Sequence, residues 1–439
     1  MDQKNIGRHF ILLGFGCLLV SITFGLVASL QYVVPHLFGD VLSFRTTRPL
    51  HVFLAINWIF ACVTGVAYNA WPQVAGRPLH SYGLAQIHFF MHLATVLVVI
   101  IGFFSGTFSG REYLEFPVWV SGLIVGYWLL FVYNYFKTVH PDLRGAPVYI
   151  WSWTAGLVFF LITMTEAHLW LLPWFNDNII RDVTVQWKAN GSMVGAWNML
   201  IYGSSMFIME RVSGNTTATR GRTAFLFFFL GFTNLMFNWG HHTYVVPAHP
   251  VVKQVAYIIS MTELILFANI IMKWRRNMGS QTPPNSVLTV TFFSIADRWI
   301  LMNLALAIAI SVPYINQFTH GTQITVAHAM GTTIGINTTL LLGCVSWIVE
   351  QSVSRASRKH IILASRWLHW SLLVFWCSLL VTGFIRSAGT IGSLPFVRIT
   401  EQMLPWLRVF SLAGVALVAA LVAIIISLVK PILVRTDVA

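Results

Sequence analysis

Six side chains are spaced as metal or haem ligands would be. His241 and His242 stand side by side in NWGHHTYVVPAHP, and neutral imidazole is the commonest protein ligand for transition metals. Adjacent helical residues point about 100° apart, so both rings reach one ion only beside a helix end or a distorted turn. His320, His328 and Met330 fall in THGTQITVAHAMG. Residues two apart on a helix point about 200° apart, so His328 and Met330 face opposite sides and can serve two planar cofactors. Imidazole nitrogen and methionine sulfur are both axial ligands of haem iron. His51, in TTRPLHVFLAINWIF, is the third signal. A lone methionine in an apolar helix is ordinarily core, and a single membrane histidine such as His88, His92 or His168 ordinarily packs or hydrogen-bonds. His36, His80, His140, His249 and His360 stand at segment ends, where solvated roles are expected.

The elements that hold these residues follow from composition. The 439 residues carry 27 Lys+Arg and 14 Asp+Glu, so 9% is charged, against about 25% in a soluble domain. Histidines, at 15, outnumber the acids, and 56% of residues are hydrophobic. So few charges exclude a soluble enzyme and a disordered chain. The net charge of +13 is spread singly or in threes between apolar runs, which argues against nucleic acid and for orienting loops. Cys17, Cys62, Cys344 and Cys377 lie in apolar runs, with neither CxxC nor CxxCH for covalent haem.

A membrane helix needs about 20 mostly apolar residues. That rule predicts an all-α polytopic protein of twelve transmembrane helices, at about 9–33, 50–72, 83–106, 116–137, 149–172, 188–210, 223–246, 253–274, 294–317, 322–350, 361–386 and 404–430. They are expected to form a single integral membrane domain over 1–439, with the first segment an anchor and not a cleaved signal. Lys and Arg on the side of the termini outnumber those opposite about two to one, which predicts both termini in the cytoplasm.

Helix 2 with RPLH, the outer segment SGREYLEFP, WGHHTYVV and THGTQITVAHAMG together resemble the large, cytochrome b subunit of bacterial nitric oxide reductase, in the haem–copper oxidase superfamily. The similarity runs from about residue 10 to about 430. It implies a twelve-helix bundle in a bacterial inner membrane, holding two b-type haems and a non-haem iron. By resemblance His51 binds the low-spin haem, His328 is the proximal ligand of the high-spin haem, and His241 and His242 bind the non-haem metal. Glu263 matches a glutamate near the active site, and Glu112 and Glu115 match an acidic segment holding calcium. The partner implied is a membrane-anchored c-type cytochrome, and the substrate a small gas.

Three departures matter. The family's second low-spin haem ligand is a histidine, where this chain has Met330. Thioether ligation there would raise the reduction potential. In helix 6, Gly195-Ala196-Trp197-Asn198 fits the family's Gly-x-Trp-Glu, which puts the third metal histidine on Asn190, the metal glutamate on Val194 and the second glutamate on Asn198. Such a site loses an imidazole and a carboxylate, both favoured by divalent iron and its neighbours. It then holds iron weakly, holds copper instead, or holds nothing. The lost carboxylates are also lost proton donors. Only Glu166 and Glu263 among the acids are expected deep in the membrane, so Glu263 leads as the relay.

Three functions stay open. The first is reduction of two NO to N2O with electrons from the c-type cytochrome, since this chain has no haem c and no long N-terminal extension for quinol use. The second is NO dismutation or another small-gas reaction. The third is a non-catalytic haem electron-transfer subunit with a degenerate metal site.

Overall fold

Lipid offers no partner for an open peptide group, so each apolar run must close its own hydrogen bonds as a helix. The computed structural model describes residues 5–39, 42–109, 111–247, 249–259, 261 and 286–433, apart from the side chains of 217, 218 and 238. Among the described residues ten helices are long and apolar enough to cross a membrane. The chain is an all-α integral membrane protein, and the one β-type pairing described is an isolated bridge between Arg111 and Leu114.

The first five helices are α1 (Ile6–Gln31), α2 (Phe44–Ala75), α3 (Tyr82–Phe104), α4 (Val118–Val139) and α5 (Val148–Glu166). α6 (Ile179–Ser213) starts well before the expected 188, because Asn178 caps it by accepting from the amides of Ile180 and Arg181. Its early turns carry Arg181, Asp182 and Lys188, which dilute the hydropathy that marks a span. α7 (Arg222–Phe237) ends in a 3₁₀ turn, Asn238–Thr243, and α8 (Pro250–Ile259) begins the eighth expected segment. The rest of that segment, Glu263 included, lies outside the described residues.

α9 (Val287–Ser311) sits about seven residues earlier than expected, since Pro313 cannot donate to the preceding turn and starts a separate short helix. The shift carries Asp297 from a helix end to mid-helix, where it is buried. The tenth segment is α10 (Gln323–Met330), a π-helical turn (Gly331–Thr338) and α11 (Thr339–Val349). α12 (Arg355–Ile391) and α13 (Phe396–Leu433) complete the chain.

The helices form two compact units. One holds residues 1–18 and 52–286, the other 19–51 and 287–439. The first has an aromatic core, with Phe131 stacked on Trp71 at 4.7 Å and Trp128 against Phe160 at 4.1 Å. Its buried imidazoles are tethered. The Tyr68 hydroxyl meets His88 Nδ1 at 3.0 Å, His92 Nε2 donates to Asn57 Oδ1 at 2.9 Å, and both rings stack on Tyr127. His168 Nδ1 donates to the Met164 carbonyl. These histidines pack and bond, as expected of single membrane histidines. In the second unit α12 lies along α13, and α9 packs on α11 and the π turn. Glu350 is buried there and caps α9 by accepting from the Leu288 amide at 2.9 Å.

Candidate haem and metal centre

His51 is held as an axial ligand needs to be. It stands two turns into α2, and its Nδ1 donates to the Ser21 carbonyl of α1 at 2.9 Å. The Ser21 hydroxyl donates in turn to the His51 carbonyl at 2.8 Å. The Nδ1–H bond fixes the tautomer and leaves the Nε2 lone pair to face a metal, the usual support for a ligating imidazole. Gly25 makes the approach possible, because a Cβ there would lie 2.6 Å from His51 Nδ1. The sequence reading missed Ser21 and Gly25, and small residues in an apolar helix give no signal of this kind.

His328 and Met330 belong to the same unit as His51. Both lie within the α-helical turns of α10, so their side chains project about 200° apart. Nδ1 of His328 is enclosed without a hydrogen-bond partner. The π turn starts one residue after Met330. Such turns are rare and concentrate at functional sites. Two imidazoles and a thioether in this unit fit haem ligation.

His241 and His242 sit in the other unit, on a 3₁₀ turn at the end of α7. On the 3₁₀ turn successive residues are about 120° apart, and the His241 and His242 ring centroids are 4.2 Å apart at 41°. Trp187 of α6 stacks flat on His242 at 4.6 Å and 7°. Along α6, Trp187, Asn190, Gly191, Val194 and Gly195 recur at helical spacing. A Cβ on Gly191 would fall 2.7 Å from Trp239, and one on Gly195 would fall 2.6 Å from Leu235. Asn190 is buried, and its Nδ2 has no hydrogen-bond partner. Among the described residues no three His, Cys, Asp or Glu gather where an ion could sit. Two imidazoles and one amide do not fit a family-type non-haem iron.

The outer acidic segment lies in the same unit. Arg111 grips Asp182 with two hydrogen bonds, at 2.6 and 2.9 Å, and stacks over Trp170 at 4.8 Å. Glu112 lines a small cleft with Arg111, Asp182, Gln186 and Asn190. Beside it Lys188 pairs with Glu166, the last residue of α5. Glu166, expected deep in the membrane, closes α5 inside a membrane-crossing segment that runs to Leu171 and is ion-paired there. Among the described residues the buried acids are Asp297 and Glu350, which the sequence reading left out.

A helical membrane bundle carrying these imidazoles has the haem–copper oxidase fold. The structure matches a solved heme-copper terminal oxidase dimer with a TM-score of 0.77 and 12% identity, over 99% of this chain and 85% of that one. The chain belongs to the family of cytochrome c and quinol oxidase polypeptide I, which matches residues 5–416. It is similar to the nitric oxide reductase B subunit of Stutzerimonas stutzeri, 24% identical over 97% of this chain and 94% of that protein.

Proposed function

We propose that the chain is the haem-bearing subunit of a nitric-oxide-reductase-like oxidoreductase, working as one integral domain of a bacterial inner membrane with both termini in the cytoplasm. The observation that carries this reading is the His51 imidazole, with Nδ1 committed to Ser21 and Nε2 free, in one unit with His328 and Met330. His51 and Met330 would hold a low-spin b-type haem, and His328 a high-spin one. Haem supplies one-electron chemistry and an iron site for small gases. The reaction is 2 NO + 2 e− + 2 H+ → N2O + H2O, with electrons from a membrane-anchored c-type cytochrome. Glu263 is the proposed proton relay. Glu112 and Glu115 are the proposed calcium carboxylates, since both oxygens of neighbouring Asp182 are taken by Arg111.

A second reading is favoured by one observation, the two-histidine turn with Trp187 stacked against it. On that reading the chain moves electrons through haem and does not reduce NO. One anaerobic experiment separates the two. Purified full-length protein is assayed for haem and metal content, then given NO with reduced cytochrome c. N2O release supports reduction, and O2 release would point to dismutation. Haem without gas turnover leaves electron transfer, and protein without haem refutes both readings.

A further inference from the structure

The α4–α5 loop and the start of α7 enclose an open groove of about 490 Å³, lined by Thr219, Arg220, Arg222, Trp151, Phe225 and Leu226 among others. We propose that this groove binds one anionic phospholipid, its phosphodiester against Arg220 and Arg222 and an acyl chain along Trp151, Phe225 and Leu226. The order of the groups carries the assignment. Arg222 is the first residue of α7, and Phe225 and Leu226 lie three and four residues on, which is about 5 Å deeper along the axis. Trp151 is three residues into α5 and meets Phe225 edge to face at 5.9 Å. Charge at the rim and aromatic carbon beneath it match a lipid's headgroup and glycerol–acyl boundary.

The rim is fixed and positive. Arg220 Nη1 donates to the Gly145 carbonyl at 2.7 Å, which ties the guanidinium to the α4–α5 loop and leaves further N–H donors. Of the acids beside the rim, Glu210 already accepts from the hydroxyls of Thr219 and Tyr149, and Asp142 of the α4–α5 loop accepts from the Arg144 amide. Phe225, Leu226 and Phe229 are all about half exposed on a membrane-crossing helix. That face meets hydrocarbon, so an amphiphile fits it and a soluble partner does not. Basic pockets at helix ends are known to take anionic headgroups.

The test uses full-length protein in nanodiscs, with phosphatidylglycerol or phosphatidylcholine and native mass spectrometry to count retained lipid. Phosphatidylglycerol should stay bound and raise the unfolding temperature, and phosphatidylcholine should do neither. Arg220→Gln with Arg222→Gln should weaken phosphatidylglycerol roughly thirtyfold, because two guanidinium groups no longer meet the phosphate. Arg222→Gln alone keeps the Arg220–Gly145 bond and should show part of that loss. Arg398→Gln, an exposed arginine paired with Glu401 at the start of α13, should show none. Equal retention of both lipids, an unaffected double variant, an equal loss in Arg398→Gln, or the same stabilisation by inorganic phosphate would each overturn the proposal.

Discussion

Gly25→Ala tests whether α1 and α2 are built to hold His51. The new methyl would lie 2.6 Å from Nδ1 and 2.7 Å from Cε1 of His51, where ordinary contacts begin near ~3.5 Å. The ring must retreat by about 1 Å, which carries the 2.9 Å bond to the Ser21 carbonyl out to nearly 4 Å, beyond hydrogen-bond range. Overpacking costs about 1–3 kcal/mol, and an orphaned buried donor about 1–3 kcal/mol more. The expected loss is about 2–6 kcal/mol, with Nε2 displaced by a similar ångström. The assay pairs thermal unfolding with haem quantification and low-temperature ferric spectra. Gly25→Ala should lower the unfolding temperature and lose the low-spin signal. Gly16→Ala, on the same helix with nothing within 4 Å of its Cβ, should do neither. If the two variants behave alike in stability and spectrum, the placement of His51 is wrong.

Met330→His should lower the low-spin haem potential and move its ferric spectrum toward bis-histidine, and a bis-histidine spectrum in the wild type would remove Met330 from the haem. Asn190→His with Val194→Glu should raise bound iron measured by elemental analysis. No gain would mean that the α6 stripe does not face the ion site. A double-mutant cycle on Arg111 and Asp182 should give a coupling of about 1–2 kcal/mol, because the bidentate pair is mostly shielded. A coupling near zero would show that Trp170 and not Asp182 holds the guanidinium. Glu263→Gln should slow N2O formation by about 10²-fold or more while haem content and cytochrome oxidation at the low-spin haem stay unchanged. Undiminished N2O release would exclude Glu263 as relay.

Apolar run length made most of the fold legible, because the cost of an open peptide in lipid leaves the chain no alternative to helices. Errors fell where local chemistry outweighs hydropathy. The early turns of α6 carry charges that a window reads as loop, yet Asp182 and Lys188 are matched by Arg111 and Glu166 from other segments. No local pattern reports those partners. The register of α9 depended on which side of Pro313 the helix lay. At the site, two adjacent imidazoles could share one ion only beside a helix end or a distorted turn, and His241 and His242 lie on the 3₁₀ turn at Asn238–Thr243. Gly25, Ser21 and Trp187 were not legible. Their roles exist only through close approach of another element.

The placement of the acids sharpens the choice between reduction and simple electron transfer. NO reduction consumes two protons per turnover, and a general acid must lie within hydrogen-bond reach of the forming oxyanion. Asp182 is held by Arg111, Glu166 by Lys188, and Glu210 by two hydroxyls. Glu350 is committed as the cap of α9. Each of these carboxylates is stabilised as an anion or hydrogen-bonded in place, so moving a proton through it would break a contact that supports the fold. A catalytic chain must therefore draw protons through the remaining acids, which include the proposed relay Glu263 and the buried Asp297. A pure electron carrier needs none, because its haem takes and gives one electron without chemistry at a bound gas. Loss of N2O formation with intact haem reduction in Glu263→Gln would thus separate the two functions at the level of the proton, independently of whether His241 and His242 hold a metal.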